Sequence, residues 1–140
     1  MITLIACIDA EYGIGFKGSM PWPKLDEDMK NFRRVTEGRN CLAGHRTFNE
    51  LKFLPGRTWI NYNTGYDESE VIVVGGQKVY HDLISKADEI WLTVIHNKVY
   101  ECDRYFPKFN PIPDYMVKDS NVYLQDDLVY SITHYIRLAK

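Results

Sequence analysis

The chain has 140 residues, 45% of them hydrophobic and 26% charged, with a formal net charge of −2. That is the length of one domain, 1–140, with enough apolar content for a core; it excludes a disordered chain, and the near-neutral balance gives no support to a nucleic-acid or membrane-surface role. No apolar run reaches membrane-spanning length, and the start Met1-Ile2-Thr3-Leu4 lacks a signal-peptide pattern. Cys7, Cys41 and Cys102 are too scattered for a disulfide framework, so free thiols in the cytoplasm are expected. His45, His81, His96 and His134 show no ligand spacing, and no metal is expected.

Met1 to Ile8 is apolar and rich in β-branched residues, the pattern of a strand buried on both faces in a parallel sheet. Tyr12 to Ser19 carries three glycines and reads as a long mobile connection, with Met20 and Trp22 exposed at its far end. After Pro23, Leu25, Met29, Phe32 and Val35 recur at three- and four-residue steps, predicting a helix. On that spacing Asp28 shares the apolar face with Leu25 and Phe32. A carboxylate there is costly unless something pairs with it, and burial raises its pKa. It is either a core acid satisfied by a nearby hydroxyl or backbone amide, or an acid retained for chemistry.

Asn40 to Gly44 reads as a second strand and His45 to Leu51 as a turn running into a helix, where unpaired N–H groups beside two cations make an anion site. Leu54-Pro55-Gly56-Arg57 is a turn ahead of a strand, Thr58 to Tyr62; alone, Arg57 is an exposed turn residue. Val71 to Val74 is a strand, Gly75-Gly76 a turn, and Val79, Tyr80, Leu83 and Ile84 the apolar face of a helix. The two glycines allow close backbone approach to a ligand, without forming the six-residue dinucleotide fingerprint. Glu89 to Ile95 is a further buried strand. The chain closes as a hairpin, with Met116 to Leu124 as one strand, a turn at Gln125-Asp126-Asp127, and Tyr130, Ile132, His134, Ile136 and Leu138 alternating along the other. The expected fold class is α/β: a single mixed, mainly parallel twisted sheet flanked by helices, with a C-terminal antiparallel hairpin.

Ile5-Ala6, Ile14-Gly15, Met20-Pro21-Trp22, an acid six residues after the Trp and a Phe four after the acid resemble the dihydrofolate reductase family. So do Gly44-His45-Arg46-Thr47, Leu54-Pro55-Gly56-Arg57, the Gly-Gly-x-x-x-Tyr run ending at Tyr80, and Asp103-Arg104-Tyr105-Phe106-Pro107. The resemblance implies reduction of 7,8-dihydrofolate with NADPH. In it Asp28 faces the pterin and favours proton delivery to N5 through water near Trp22, and Thr93 bonds Asp28 and the pterin amino group. Met20 and Tyr80 lie beside the nicotinamide. It further implies a substrate site of Ile5, Ala6, Phe32, Leu51, Leu54 and Val74, with the Arg57 fork on the α-carboxylate of the glutamate tail. The cofactor would lie against Cys7, Ile14, Gly15, the segment Gly44, His45, Arg46 and Thr47, the polar pair Asn63 and Thr64, and the run Gly75, Gly76, Gln77, Lys78, Val79 and Tyr80. Asp103 would tether the Met20 loop.

Two departures stand out. Gln77 replaces the small residue usual in the family, where it would crowd the phosphate. Between Thr64 and Val71 the chain lacks a strand and helix that family members carry beneath the adenosine end of the cofactor. Loss of about two hydrogen bonds there would weaken NADPH by roughly ten- to a hundredfold and blur its preference over NADH. A monomer that binds antifolates such as methotrexate or trimethoprim is implied. Two alternatives keep the fold: a weak or inactive pterin- or nucleotide-binding or structural protein, and a reductase of another heterocycle such as a riboflavin-pathway pyrimidine, which would have little use for Asp28, Phe32 and Arg57 together.

Overall fold

The computed structural model describes residues 1–139. In chain order these form β1 (Ile2–Ile8), β2 (Gly13–Gly15), α1 (Asp26–Thr36), β3 (Asn40–Ala43), α2 (His45–Leu51), β4 (Thr58–Asn61), β5 (Val71–Gly75), α3 (Gln77–Leu83), β6 (Glu89–Ile95), β7 (Arg104–Tyr105), β8 (Tyr115–Gln125) and β9 (Leu128–Arg137). A seven-stranded sheet runs in the order β4-β3-β5-β1-β6-β9-β8, and β2 pairs with β7 apart from it. The strands from β4 to β6 are mutually parallel, and β9 and β8 add antiparallel partners at the far side. The α/β class, the mainly parallel sheet and the C-terminal hairpin are as expected from the sequence. β1 lies between β5 and β6, which explains its unbroken apolar run: every residue but Cys7 is buried.

Two local expectations need correction. Tyr62 leaves the fourth strand and opens a 3-10 turn, Tyr62–Thr64, with Asn61 accepting from the backbone N–H of Asn63 at 3.0 Å. β9 does not alternate, because it is an interior strand between β6 and β8, and Tyr130 to His134 are buried without a break. The Tyr12 to Ser19 connection carries the short strand β2. Gly13 and Gly15 pair with Tyr105 and Arg104, Phe16 and Ser19 close a tight bridge, and Asp103 accepts from the N–H of Lys17 at 3.1 Å.

α1 has acids in its first turn and arginines in its last, which suits the helix dipole, but no side chain of its own caps it. The hairpin supplies that role. The Gln125 side chain accepts from Asp26 N–H at 2.7 Å and donates to the Lys24 carbonyl at 2.9 Å, and the Tyr130 hydroxyl accepts from Glu27 N–H at 3.2 Å. Residues about a hundred positions downstream therefore fix the turn of helix that carries Asp28.

Candidate active site

The strands β4, β3, β5 and β1 all end along one rim of the sheet, and the segments that follow them line a cleft of about 970 Å³. At one end α1 presents Asp28, Met29 and Phe32, facing Ile5, Ala6 and Cys7 of β1. Asp28 Oδ1 accepts from the Thr93 hydroxyl at 2.6 Å, and no other protein hydrogen bond reaches the carboxylate among the described residues. Burial pushes its pKa up from the ordinary 3.8, with the Thr93 donor pulling the other way. The Tyr80 hydroxyl donates to the Ile5 carbonyl at 2.6 Å, and burial holds both Tyr80 and the Cys7 thiol in their neutral forms. Asp28 is thus the one carboxylate in an otherwise apolar, hydrogen-bonded end of the cleft.

The other end is cationic. His45, Arg46, Lys78 and Arg104 line it, with Glu50 the single carboxylate among them. Its floor is bare backbone. A side chain on Gly44 would meet Val79 at 3.3 Å, and one on Gly75 or Gly76 would stand 3.4–3.5 Å from Thr47. Gly75 also has φ +143°, which side-chain-bearing residues rarely adopt. Chemistry and shape both fit a phosphate-bearing dinucleotide: positive groups above, a glycine floor below and an apolar half where a ring can lie.

Most residues expected from the sequence meet in this cleft: Ile5, Ala6, Cys7, Ile14, Gly15, Met20, Asp28, Phe32, Leu51, Asn63, Val74, and the Gly44–Thr47 and Gly75–Tyr80 segments. Thr93 reaches it through Asp28. Trp22 was expected on the surface and is instead buried at 7% exposure, set edge-on to Tyr100 with ring centroids 5.5 Å apart. It packs in one cluster with Cys7, so it backs the cleft wall without lining it. Arg57, Leu54 and Thr64 also lie outside the lining. Arg57 is anchored by Thr36 Oγ1 at 3.0 Å and by the Pro55 and Arg33 carbonyls, while Thr64 caps its own turn on the Asn61 carbonyl. Gln77 does not stretch over the glycine turn, because its amide oxygen accepts from Tyr105 N–H at 2.7 Å. Met29, Glu50, Tyr62, Gly18, Ser19 and Arg104 line the cleft without having been singled out. Met29 was legible from its place beside Asp28 on the helix stripe; Arg104 was not, since its direction depends on β2–β7 pairing.

Fold and cleft define a two-ligand α/β enzyme, with a dinucleotide groove leading to an acid that faces a flat ring. The sequence model described as dihydrofolate reductase matches residues 1–64 and 59–137, two segments that meet where β4 ends. The dihydrofolate reductase of Bacillus subtilis (strain 168) is 30% identical over 132 residues, 79% of this chain and 77% of that protein. That of Buchnera aphidicola subsp. Acyrthosiphon pisum is 28% identical over 135 residues, covering 80% and 82%. A solved structure of dihydrofolate reductase from Enterococcus faecalis, complexed with NADP(H) and RAB-propyl, superposes with a TM-score of 0.81 at 24% identity, covering 98% of this chain and 96% of that one. The chain belongs to the dihydrofolate reductase family, NADP-dependent oxidoreductases that convert 7,8-dihydrofolate to 5,6,7,8-tetrahydrofolate.

Proposed function

We propose that this chain carries out its family's reaction with Asp28 as the pterin-binding acid, and the hydrogen bond of the half-buried Asp28 to the buried Thr93 is the observation that carries the assignment. NADPH bound in the cleft would supply the hydride for pterin C6. The Asp28 carboxylate accepts hydrogen bonds from the pterin N3–H and 2-amino group, holding the ring in one orientation. Burial raises its pKa above the ordinary carboxylate value, the direction that favours protonation at N5. Thr93 holds the carboxylate in place with its only hydroxyl proton and keeps lone pairs to accept from the ligand. Phe32 and Leu51 flank the aminobenzoyl ring, with Leu54 next along the chain. Arg57, three of whose N–H groups are spent on protein acceptors, retains two for the glutamate α-carboxylate.

On the cofactor side, Gly44, Thr47, Gly75 and Gly76 form the floor, and His45, Arg46 and Lys78 supply charge above it. Met20, Ile14 and Tyr80 bound the nicotinamide end. Antifolates of the methotrexate or trimethoprim type compete for the Asp28 end. A monomeric, single-domain, cytoplasmic enzyme is the matching assignment for the whole chain. Among the described residues, no helix is long and apolar enough to cross a membrane.

The test is NADPH oxidation with dihydrofolate present. Wild type is expected to turn over and to be blocked by methotrexate. Asp28→Asn is expected to fold but lose most turnover near neutral pH, recovering as the pH falls and solvent protonates the substrate; removing a positioned acid of this kind typically costs about 10²–10⁴ in rate. Wild-type turnover in the variant would remove Asp28 from catalysis. Nucleotide binding without oxidation in the wild type would favour the inactive binding-protein reading.

A further inference from the structure

Arg104 is the cation of the cleft that none of the assignments above uses. It sits in β7 opposite Gly15 of β2, and its side chain lines the cleft with Gly75 and Gly76. One of its N–H groups donates to the Asp103 carbonyl at 2.9 Å, and no carboxylate pairs with it among the described residues. The nearest acid in sequence is committed elsewhere, since Asp103 accepts from Lys17 N–H. Lys78, by contrast, is partly neutralised by Asp82 at 2.9 Å. Gln77 brings β7 to the glycine turn: it follows Gly76 directly and holds the Tyr105 N–H at 2.7 Å. A planar guanidinium with four N–H groups left therefore stands on the strand that Gln77 ties to the Gly75-Gly76 turn.

The order of strands fixes which part of a dinucleotide it meets. Along the rim, Asn63 follows the edge strand β4, His45 to Thr47 follow β3, Gly75 to Lys78 follow β5, and Ile14, Gly15 and Arg104 stand beyond β1. Strands are spaced about 4.8 Å apart, so Arg104, beside the fourth strand of the rim, lies on the order of 15 Å from the β4 edge. A dinucleotide laid along this rim with adenosine at the edge brings its pyrophosphate, not its 2′-phosphate, to the β5–β1 interval. We propose that Arg104 binds the pyrophosphate of the cofactor from the β2–β7 sheet, with Gln77 as the positioning residue that holds that sheet against the glycine turn. The inference rests on the assignment of this end of the cleft to NADPH. It also explains Gln77 at a position where the family keeps a small residue: here the side chain serves as the tether.

The test measures dissociation constants of NADPH and NADH by titration calorimetry, without dihydrofolate, for wild type, Arg104→Gln, Arg104→Lys and Gln77→Ala. Because both nucleotides carry the pyrophosphate, Arg104→Gln is expected to weaken both by the same factor, about ten- to a hundredfold for loss of a charge-assisted contact. Arg104→Lys restores part of the loss. Gln77→Ala gives a smaller one, with faster hydrogen exchange at the Tyr105 N–H. Arg104 is exposed, so the melting temperature of Arg104→Gln should match the wild type. Unchanged binding of both nucleotides would overturn the proposal, as would loss of NADPH affinity alone, which would put the contact at the 2′-phosphate. A wild type that binds neither nucleotide would overturn the assignment of the cleft, and this proposal with it.

Discussion

Asp28 illustrates how a carboxylate on an apolar helix face works against the fold that holds it. Its carboxyl has an ordinary pKa of 3.8, raised in the folded protein by burial. The folded state therefore keeps this proton to higher pH than the unfolded chain does. The stability it contributes is full below 3.8 and is lost as the pH rises through the folded-state value. Above that value the folded state carries a buried charge relieved by a single donor, Thr93. Asp28→Asn should thus melt higher than wild type near neutral pH, by about 2–5 °C, with the difference vanishing in acid. Thermal melts of both proteins across pH check this, and a variant that melts lower at neutral pH would mean the charge is fully compensated. The Asp28 problem was legible in the helix spacing, since an acid on an apolar stripe demands a partner. Its solution was not, because Thr93 is 65 residues away and the resemblance alone pointed to it. The burial of Trp22 escaped notice for the same reason: the ring that covers it is Tyr100.

At the level of elements, short-range pattern fared best where one segment decides its own state. β6 spans the residues its β-branched run predicts, and α1 follows the three- and four-residue spacing. The pairing of the glycine-rich connection is not legible from its own residues, because its partner is β7, about ninety residues on. That dependence makes its glycines specific. A side chain on Gly18, at φ +88°, would stand 2.5 Å from the Arg46 guanidinium. Gly18→Ala is expected to displace the loop or Arg46, raising KM for NADPH several-fold and increasing hydrogen exchange across Lys17 to Met20. Unaltered exchange would show that the loop is set by β7 alone. The start of α1 makes a similar point. Gln125→Ala removes both hairpin bonds to it and should cost about 1–3 kcal/mol in denaturant unfolding, with a weaker dihydrofolate KM, because Asp28 lies in the released turn.

The molecule as a whole has a sheet with two unlike edges. β4 is four residues long, and its brevity limits the open backbone it offers; Tyr62 and Asn63 of the 3-10 turn that follows it line the cleft. β8 is eleven residues long, with Met116, Val117, Val122 and Leu124 each about half or more exposed. An edge of that length and character invites pairing with another chain. Its irregularity between Val117 and Asp119, flanking the charged Lys118, interrupts the ladder. Replacing Lys118 and Asp119 with Val and Thr should convert it into a pairing surface, with more concentration-dependent association on size-exclusion chromatography than the wild type shows. A monomeric double variant would show that the bulge alone protects the edge. Neither edge could be read from composition, since strand order is set by contacts between segments far apart in the chain.

The clasp of Gln125 and Tyr130 on the first turn of α1 also bears on the chain while it is being made. Asp28 leaves the ribosome before Thr93, and Gln125 and Tyr130, which seat the helix of Asp28, follow both. A chain made as far as Thr93 carries the acid and its hydroxyl partner, and still lacks the bonds that hold the first turn of the helix. Seating of that turn waits for a hairpin synthesised about a hundred residues after the helix it clasps.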